Sequence, residues 1–232
     1  MKKKIVFLVL AAALCLSACG KKAKDSEKKK VLASFYPIYA MADYISRGTK
    51  EIDLSLLASP QTGCLHDYQL TTADIKTLSD CDLLLINGSG MESFAEKAIS
   101  QVPGLKLKDT SENIPLLLEE ETHHHEDEES FNSHTWLYMP NAAAQAEEIC
   151  ASLKELCPNE AEIFEKNLES FEAEISALEK KKPQGELKTI IFHSGFAYIA
   201  EDFGLNVLKT VMCDEEISLS AKDQAALIDL IH

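Results

Sequence analysis

The sequence predicts an α/β protein of two lobes with mainly parallel sheets, joined by a long rigid helix, the second lobe incomplete. Three observations predict it. From Val31 onward, short apolar runs alternate with amphipathic helical stretches, the pattern of βαβ units and parallel sheets. From Pro140 to Lys182 the periodicity is helical throughout, in two pieces. A second strand, helix, strand pattern then follows in "TIIFHSGFAYIAEDFGLNVLKTVM".

The chain opens "MKKKIVFLVLAAALCLSACG", three lysines ahead of an apolar run from Ile5 to Leu16. That is an export signal, too short to span a bilayer, which takes ~20 apolar residues. The ending "LSAC" looks like a bacterial lipobox, which implies cleavage before Cys19, lipidation of its thiol and tethering to the outer face of the cell membrane. Residues 1–18 are thus read as signal peptide. Residues 19–30, "CGKKAKDSEKKK", have no large apolar residue and read as a lipidated flexible tether.

The first lobe spans 31–139. "VLASF", "EIDLSLL" and "DLLLING" read as strands, and "PIYAMADYISR", "TTADIKTLSD" and "MESFAEKAISQV" as helices. "TTAD" supplies an N-cap with an acid in the first turn, so that helix start is well marked. Residues 109–133 are acidic and without periodicity, and read as a surface loop.

The connector spans 140–185. Ile149, Leu153 and Leu156 recur at helical spacing, and "CPNE" restarts the helix with Pro158 at its first position and Glu160 and Glu162 at its positive end. Phe164, Leu168, Phe171, Ile175 and Leu178 continue the apolar stripe, and Lys180 to Lys182 close the negative end. A helix from Pro158 to Lys182 would be ~37 Å long, a strut between two lobes. Residues 186–232 supply only two strands and two helices, few for a matching lobe. Either the second lobe is truncated, or another chain completes it.

The chain carries 23 Lys+Arg against 38 Asp+Glu, a formal net charge of −15. Loss of Lys2, Lys3 and Lys4 with the signal leaves 20 against 38, or −18. Nucleic acid is excluded as a partner, because phosphate backbones are held by basic patches. Cations are the natural counterpart. Of seven cysteines, Cys15 leaves with the signal and Cys19 takes the lipid, so five remain. An odd number excludes a complete disulfide framework. Most read as buried free thiols, and Cys64, two residues from His66, is the one placed for chemistry.

His66 stands between a strand and a capped helix, and His193 at the end of an apolar strand of the other lobe. Both positions are carboxyl edges of sheets, where open α/β proteins bind ligands. His134, in "FNSHTWLYMP", precedes the connector and can reach the cleft wall. Together His66, His134 and His193 favour one shared metal site of imidazole ligands. His123, His124 and His125 lie in the acidic stretch "EEETHHHEDEES", which has almost no apolar residue to hold them. Such tracts bind metals weakly and adjustably, so this is an accessory loop.

The stretches "HDYQLTTADIKTLSDCDLLLINGSGMESF", "HTWL" followed by "CPNEAEIFEKNLESFEAEISALEK", and "IIFHSGFAYIAEDFGL" resemble the zinc/manganese-binding lipoproteins of ABC transporters, the cluster A-I, ZnuA/TroA-type solute-binding proteins. The resemblance runs from about Val31 to the end. It implies two α/β lobes joined by one long helix, with the metal in the cleft on the histidines matched by His66, His134 and His193. It implies a fourth ligand well after the third histidine, but this chain ends 39 residues past His193, before any match to it. Water or a carboxylate such as Glu126 would then fill that position. One departure is "NSHTWL", where an acidic residue often stands two before the histidine. The chain is accordingly expected to act as a monomer that captures Zn2+, with Mn2+ as the second candidate, and to deliver it to an ABC permease. An adhesin or other surface lipoprotein with incidental zinc is the alternative. A three-histidine zinc hydrolase is a further one, although the chain has no HExxH, no GxSxG and no P-loop.

Overall fold

The structure is a computed structural model that describes residues 28–59, 65, 68–118, 131–182, 187–211 and 221–231. The signal peptide, Cys19, Cys64, His66, His123, His124, His125, Glu126, Cys213 and His232 lie outside the described residues.

The first sheet is built from β1 (Lys29–Ala33), β2 (Ile52–Leu56), β3 (Leu83–Ile86) and β4 (Leu107–Asp109), all parallel in the order β2-β1-β3-β4. β3, and β1 from Val31 onward, read as unbroken apolar runs because both of their faces are covered there, as in parallel strands generally. Val31, Ala33, Leu83 and Leu85 face α1 (Tyr36–Ile45) and α4 (Met139–Leu156), while Leu32 and Leu84 pack with Leu78 of α2 (Thr72–Asp80) on the opposite face. Leu32 is fully buried, a side chain whose burial is worth about 1.5–3 kcal/mol. The start of α2 is the expected one. Thr71 accepts from the Asp74 backbone N–H, and the Asp74 carboxylate accepts from the Thr71 N–H at 2.7 Å, a capping box.

Three expectations change. β4 escapes a sequence reading because it is only three residues of alternating character at the sheet edge. The stretch from Met91 to Val102 is mostly turns around a four-residue helix, α3 (Glu96–Ile99). The reason lies at Glu92, whose buried carboxylate accepts from the Ser34 hydroxyl at 2.7 Å and from the Asn87 and Gly88 N–H groups at 2.8 and 3.0 Å. Those bonds hold the chain in a tight turn, with Ser89 and Gly90 at positive φ, where a regular helix would have turned Glu92 outward. Finally, the segment 109–133 is not simply a surface loop. Thr110, Ser111, Asn132 and Ser133 at its two ends are buried, and Leu118 pairs with Phe131 in an isolated antiparallel bridge.

The connector's first helical piece is α4; its second begins with a 3-10 turn at Pro158–Glu160, and the α-helix proper, α5, runs Ala161–Glu179. Its 19 residues span about 28 Å, shorter than a helix from Pro158 would be. The Glu160 carboxylate accepts from the Lys50 N–H at 3.1 Å, which ties the first turn to the loop before β2. Most of α5 lies against the first lobe. Phe164 is buried in its core, Asn167 Nδ2 donates to the Ile45 and Arg47 carbonyls at the end of α1, and the Tyr44 hydroxyl donates to Glu174 at 2.6 Å.

The second sheet pairs β5 (Lys188–Ile191) with β6 (Asn206–Thr210) in parallel, with an irregularity between Thr189 and Ile190. α6 (Phe196–Phe203) makes the crossover and ends at Gly204, whose φ of 60° is the left-handed conformation that a helix C-terminus often needs. α7 (Ala221–Ile231) follows. Lys182, at the end of the connector, is tied to the second lobe, its ammonium 2.8 Å from a carboxylate oxygen of the buried Asp202. Among the described residues Cys81, Cys150 and Cys157 are free thiols, the last two buried. Burial pushes the Cys81 thiol up to about 11. No helix of the described residues is long and apolar enough to cross a membrane.

Candidate metal site

His134 is held by a polar layer at the carboxyl edge of the first sheet. Asn87 follows β3, and Thr110 and Ser111 follow β4. Asn87 Oδ1 accepts from the Thr135 hydroxyl at 2.8 Å and from Gln145 Nε2 at 3.0 Å, and Asn87 Nδ2 donates to the Ser133 carbonyl at 2.9 Å. Gln145 Nε2 also stands 3.0 Å from Thr110 Oγ1 and 3.1 Å from Ser111 Oγ. Asn87, Thr110, Ser111, Thr135 and Gln145 are all buried. A buried donor or acceptor left unmade costs about 1–3 kcal/mol, so such a network favours one placement of the segment that carries the histidine. A 3-10 turn at Thr135–Leu137 then leads into α4. Trp136 stands edge-on to Phe35 at 4.8 Å, and the His134 ring lies 5.3 Å from Trp136.

Behind this layer, burial pushes the Glu92 and Asp109 carboxyls up, against the pull of the hydrogen bonds they accept.

His193 comes from the other sheet, two residues past the end of β5. Its Nδ1 accepts the Gly195 backbone N–H at 2.9 Å. A backbone N–H can only donate, so this nitrogen carries the lone pair of the neutral ring and Nε2 carries the proton. The His134 and His193 rings meet edge to face with centroids 4.8 Å apart and planes at 89°. Gly195 makes room for them, since a Cβ there would fall 2.8 Å from His134 Cγ and 3.0 Å from His193 Nδ1.

Imidazoles on one tetrahedral zinc, at N–metal distances of about 2.0–2.1 Å, place their ring centres about 5 Å apart. The observed pair matches that spacing. Among the described residues no group of three or more His, Cys, Asp or Glu gathers to hold a metal. His66 belongs to the connection that leaves the carboxyl end of β2, and it lies outside the described residues, as do the accessory His123, His124 and His125. The structure therefore brings two of the three sequence-predicted ligands together. Asn87, Asn132, Thr135 and Gln145 escaped the sequence reading. For Asn132 and Thr135 the one signal was the polar run "NSHT", in a segment too polar to be a core element yet directly before a helix, whereas Asn87 and Gln145 gave none.

Two parallel-sheet lobes linked by a long helical segment, with ring nitrogens from both at the sheets' carboxyl edges, form the architecture of a two-lobed α/β binding protein. Residues 31–232 match the family ZnuA, zinc-uptake complex component A periplasmic, and the chain belongs to that family. It is 26% identical over 245 residues to the zinc-binding lipoprotein AdcA of Streptococcus pneumoniae serotype 4, covering 100% of this chain and 48% of that protein. It is 28% identical over 222 residues to the high-affinity zinc uptake system protein ZnuA of Bacillus subtilis, covering 86% of this chain and 68% of that one. A crystal structure of ZnuA superposes with a TM-score of 0.73 at 25% identity, over 88% of this chain and 78% of the other. The Zn(II)-bound AdcA of Streptococcus pneumoniae shares the fold, with a TM-score of 0.71 at 23% identity, over 88% of this chain and 44% of the other. The chain spans about half the length of the AdcA relatives it matches. The family takes its name from uptake, not from catalysis.

Proposed function

We propose that this chain is an extracytoplasmic solute-binding lipoprotein that captures a divalent transition metal, zinc first and manganese second, and hands it to an ABC permease. The observation that carries the reading is the pairing of His134 and His193 at 4.8 Å across the two lobes. His66 is the third ligand, delivered by the connection after β2, and Cys19 carries the lipid that keeps the protein at the membrane as a monomer. Residues 31–139, 140–185 and 186–232 act as first lobe, connector and second lobe. The names of the relatives support the cargo, since one is a zinc-binding lipoprotein and another, from Halalkalibacterium halodurans, a manganese-binding lipoprotein. Imidazole ligands favour zinc over manganese in the usual affinity order. The acidic loop with His123, His124 and His125 gathers ions and passes them inward.

The test is zinc content and affinity by chelator competition on the wild type, on His193→Ala and on a chain lacking residues 119–130. The expected result is a tight site in the wild type, loss of it in His193→Ala, and slower loading with the tight site kept in the loop deletion. Undiminished affinity in His193→Ala would overturn the reading.

A further inference from the structure

Asn132 is 1% exposed and belongs to no regular element, yet all of its polar atoms are engaged. Its N–H donates to the Leu117 carbonyl at 2.9 Å and its carbonyl accepts from the Tyr198 hydroxyl at 3.0 Å. Its side-chain Nδ2 donates to the Ser194 carbonyl at 2.7 Å. Its Oδ1 accepts from the His134 backbone N–H at 3.1 Å and stands 3.0 Å from His134 Nδ1.

Two of these partners remove an ambiguity that side-chain amides ordinarily carry. A carbonyl can only accept, so the atom facing Ser194 is the nitrogen. A backbone N–H can only donate, so the atom facing His134 is the oxygen. An amide oxygen has no proton to give, and His134 Nδ1 must therefore be the donor. The neutral ring is thereby fixed with its proton on Nδ1 and its lone pair on Nε2. Free imidazole side chains prefer the opposite arrangement, and a ligand nitrogen must present a lone pair. His193, held by Gly195, carries the reverse tautomer, so the tautomer is set ring by ring, and at His134 the Asn132 oxygen calls for the proton on Nδ1.

We infer that Asn132 is the positioning residue that sets the tautomer of His134 and so makes Nε2 its metal-binding atom, through an oxygen whose direction is locked from the second lobe by Ser194. This inference rests on the reading of His134 as a ligand. It adds that an uncharged amide does this work, where a carboxylate would place a second acceptor against the Ser194 carbonyl.

The test uses the full mature chain with 15N-labelled histidine. Proton–nitrogen correlation spectra of the metal-free protein report the tautomer of each ring, and zinc affinity is measured alongside by competition. In the wild type His134 is expected with a protonated Nδ1. In Asn132→Ala the ring is expected to go over to the Nε2-protonated form and zinc affinity to fall about 10- to 100-fold, the usual effect of losing such an outer partner. Asn132→Asp presents an acceptor whichever way it turns. It is expected to keep the Nδ1-protonated ring and to bind at least about tenfold more tightly than Asn132→Ala, consistent with that same range. If Asn132→Ala fails to fold, the wild-type spectrum and Asn132→Asp decide. A wild-type His134 protonated on Nε2, or Asp and Ala variants equally weakened, overturns the inference while leaving the metal site standing. A wild type that takes up no zinc sinks the reading of the site itself.

Discussion

The imidazoles of His134 and His193 stand edge to face at 4.8 Å, one carried by the polar layer beneath the first sheet's edge and the other by the strand that opens the second. As the proposed ligands of one ion, the two rings should behave as a unit. His134→Ala and His193→Ala are each expected to lower zinc affinity at least about 100-fold, whereas the double variant falls little further than either alone, because contacting residues are not additive. Competition titrations on the three variants check this, and strict additivity would separate the two rings into independent sites.

The lone pair of neutral His193 already belongs to the Gly195 N–H at 2.9 Å. An ion that ligates this ring either takes that pair or shifts the proton onto Nδ1 and binds Nε2, and both cost the hydrogen bond, about 0.5–1.5 kcal/mol. The Gly195 amide proton is expected to move upfield and to exchange faster with solvent on zinc loading. A two-dimensional amide spectrum recorded through a zinc titration reads this directly, and an unmoved Gly195 signal contradicts ligation by His193.

Gln145 sits at the centre of the layer that holds Thr135 and hence the neighbouring His134. Gln145→Leu fills the space but leaves acceptors on Thr110 and Ser111 without their donor. A loss of about 2–4 kcal/mol in folding stability is expected, in line with more than one buried polar group left unmade. Urea denaturation gives the value. Zinc affinity should fall with it, since the segment that bears His134 loses its fixed seat.

Burial raises the Glu92 carboxyl in the folded chain despite the bonds from Ser34, Asn87 and Gly88. A raised acid contributes stability that is complete below the unfolded value, near 4.3, and that is lost as pH rises through the folded value. Glu92→Gln removes the charge and that pH dependence. Its stability relative to the wild type is therefore expected to improve from pH 4 toward neutral, as chemical denaturation at several pH values would reveal. A difference that is flat with pH would place the folded value of Glu92 at its ordinary one.

Lys182 reaches Asp202 at 2.8 Å, and the second Asp202 oxygen has no hydrogen-bond partner among the described residues. Lys182→Met leaves a buried carboxylate without its cation, for which about 3–5 kcal/mol of destabilisation is expected. Lys182→Met combined with Asp202→Leu should recover most of it. Thermal melts of the single and double variants supply the comparison, and failure of the second change to rescue the first would show the pair to be incidental.

How much of this was legible beforehand follows from the range over which each determinant acts. The alternation from Val31 to Ile86 marked three strands, and "TTAD" marked the start of α2, because periodicity and capping act within one or two helical turns. His134 and His193 could be singled out because each follows or precedes a well-marked element. The turn at residues 90–95 could not be read, since it depends on Glu92 meeting Ser34, which comes from a distant strand end. β4 was missed because an edge strand of three residues exists only by virtue of its neighbour.

By itself, then, the amino-acid order determined the α/β class, the acidic surface that suits cations, the helical connector and the histidines worth watching. Those properties follow from local pattern and from summed charge. Only the tertiary structure decided that the rings of His134 and His193 meet, that His193 Nδ1 faces the Gly195 N–H, and that the buried amide oxygen of Asn132 faces His134 Nδ1. Such decisions are made by directional hydrogen bonds between segments remote in sequence, and no local pattern encodes the direction of a partner that another part of the chain supplies.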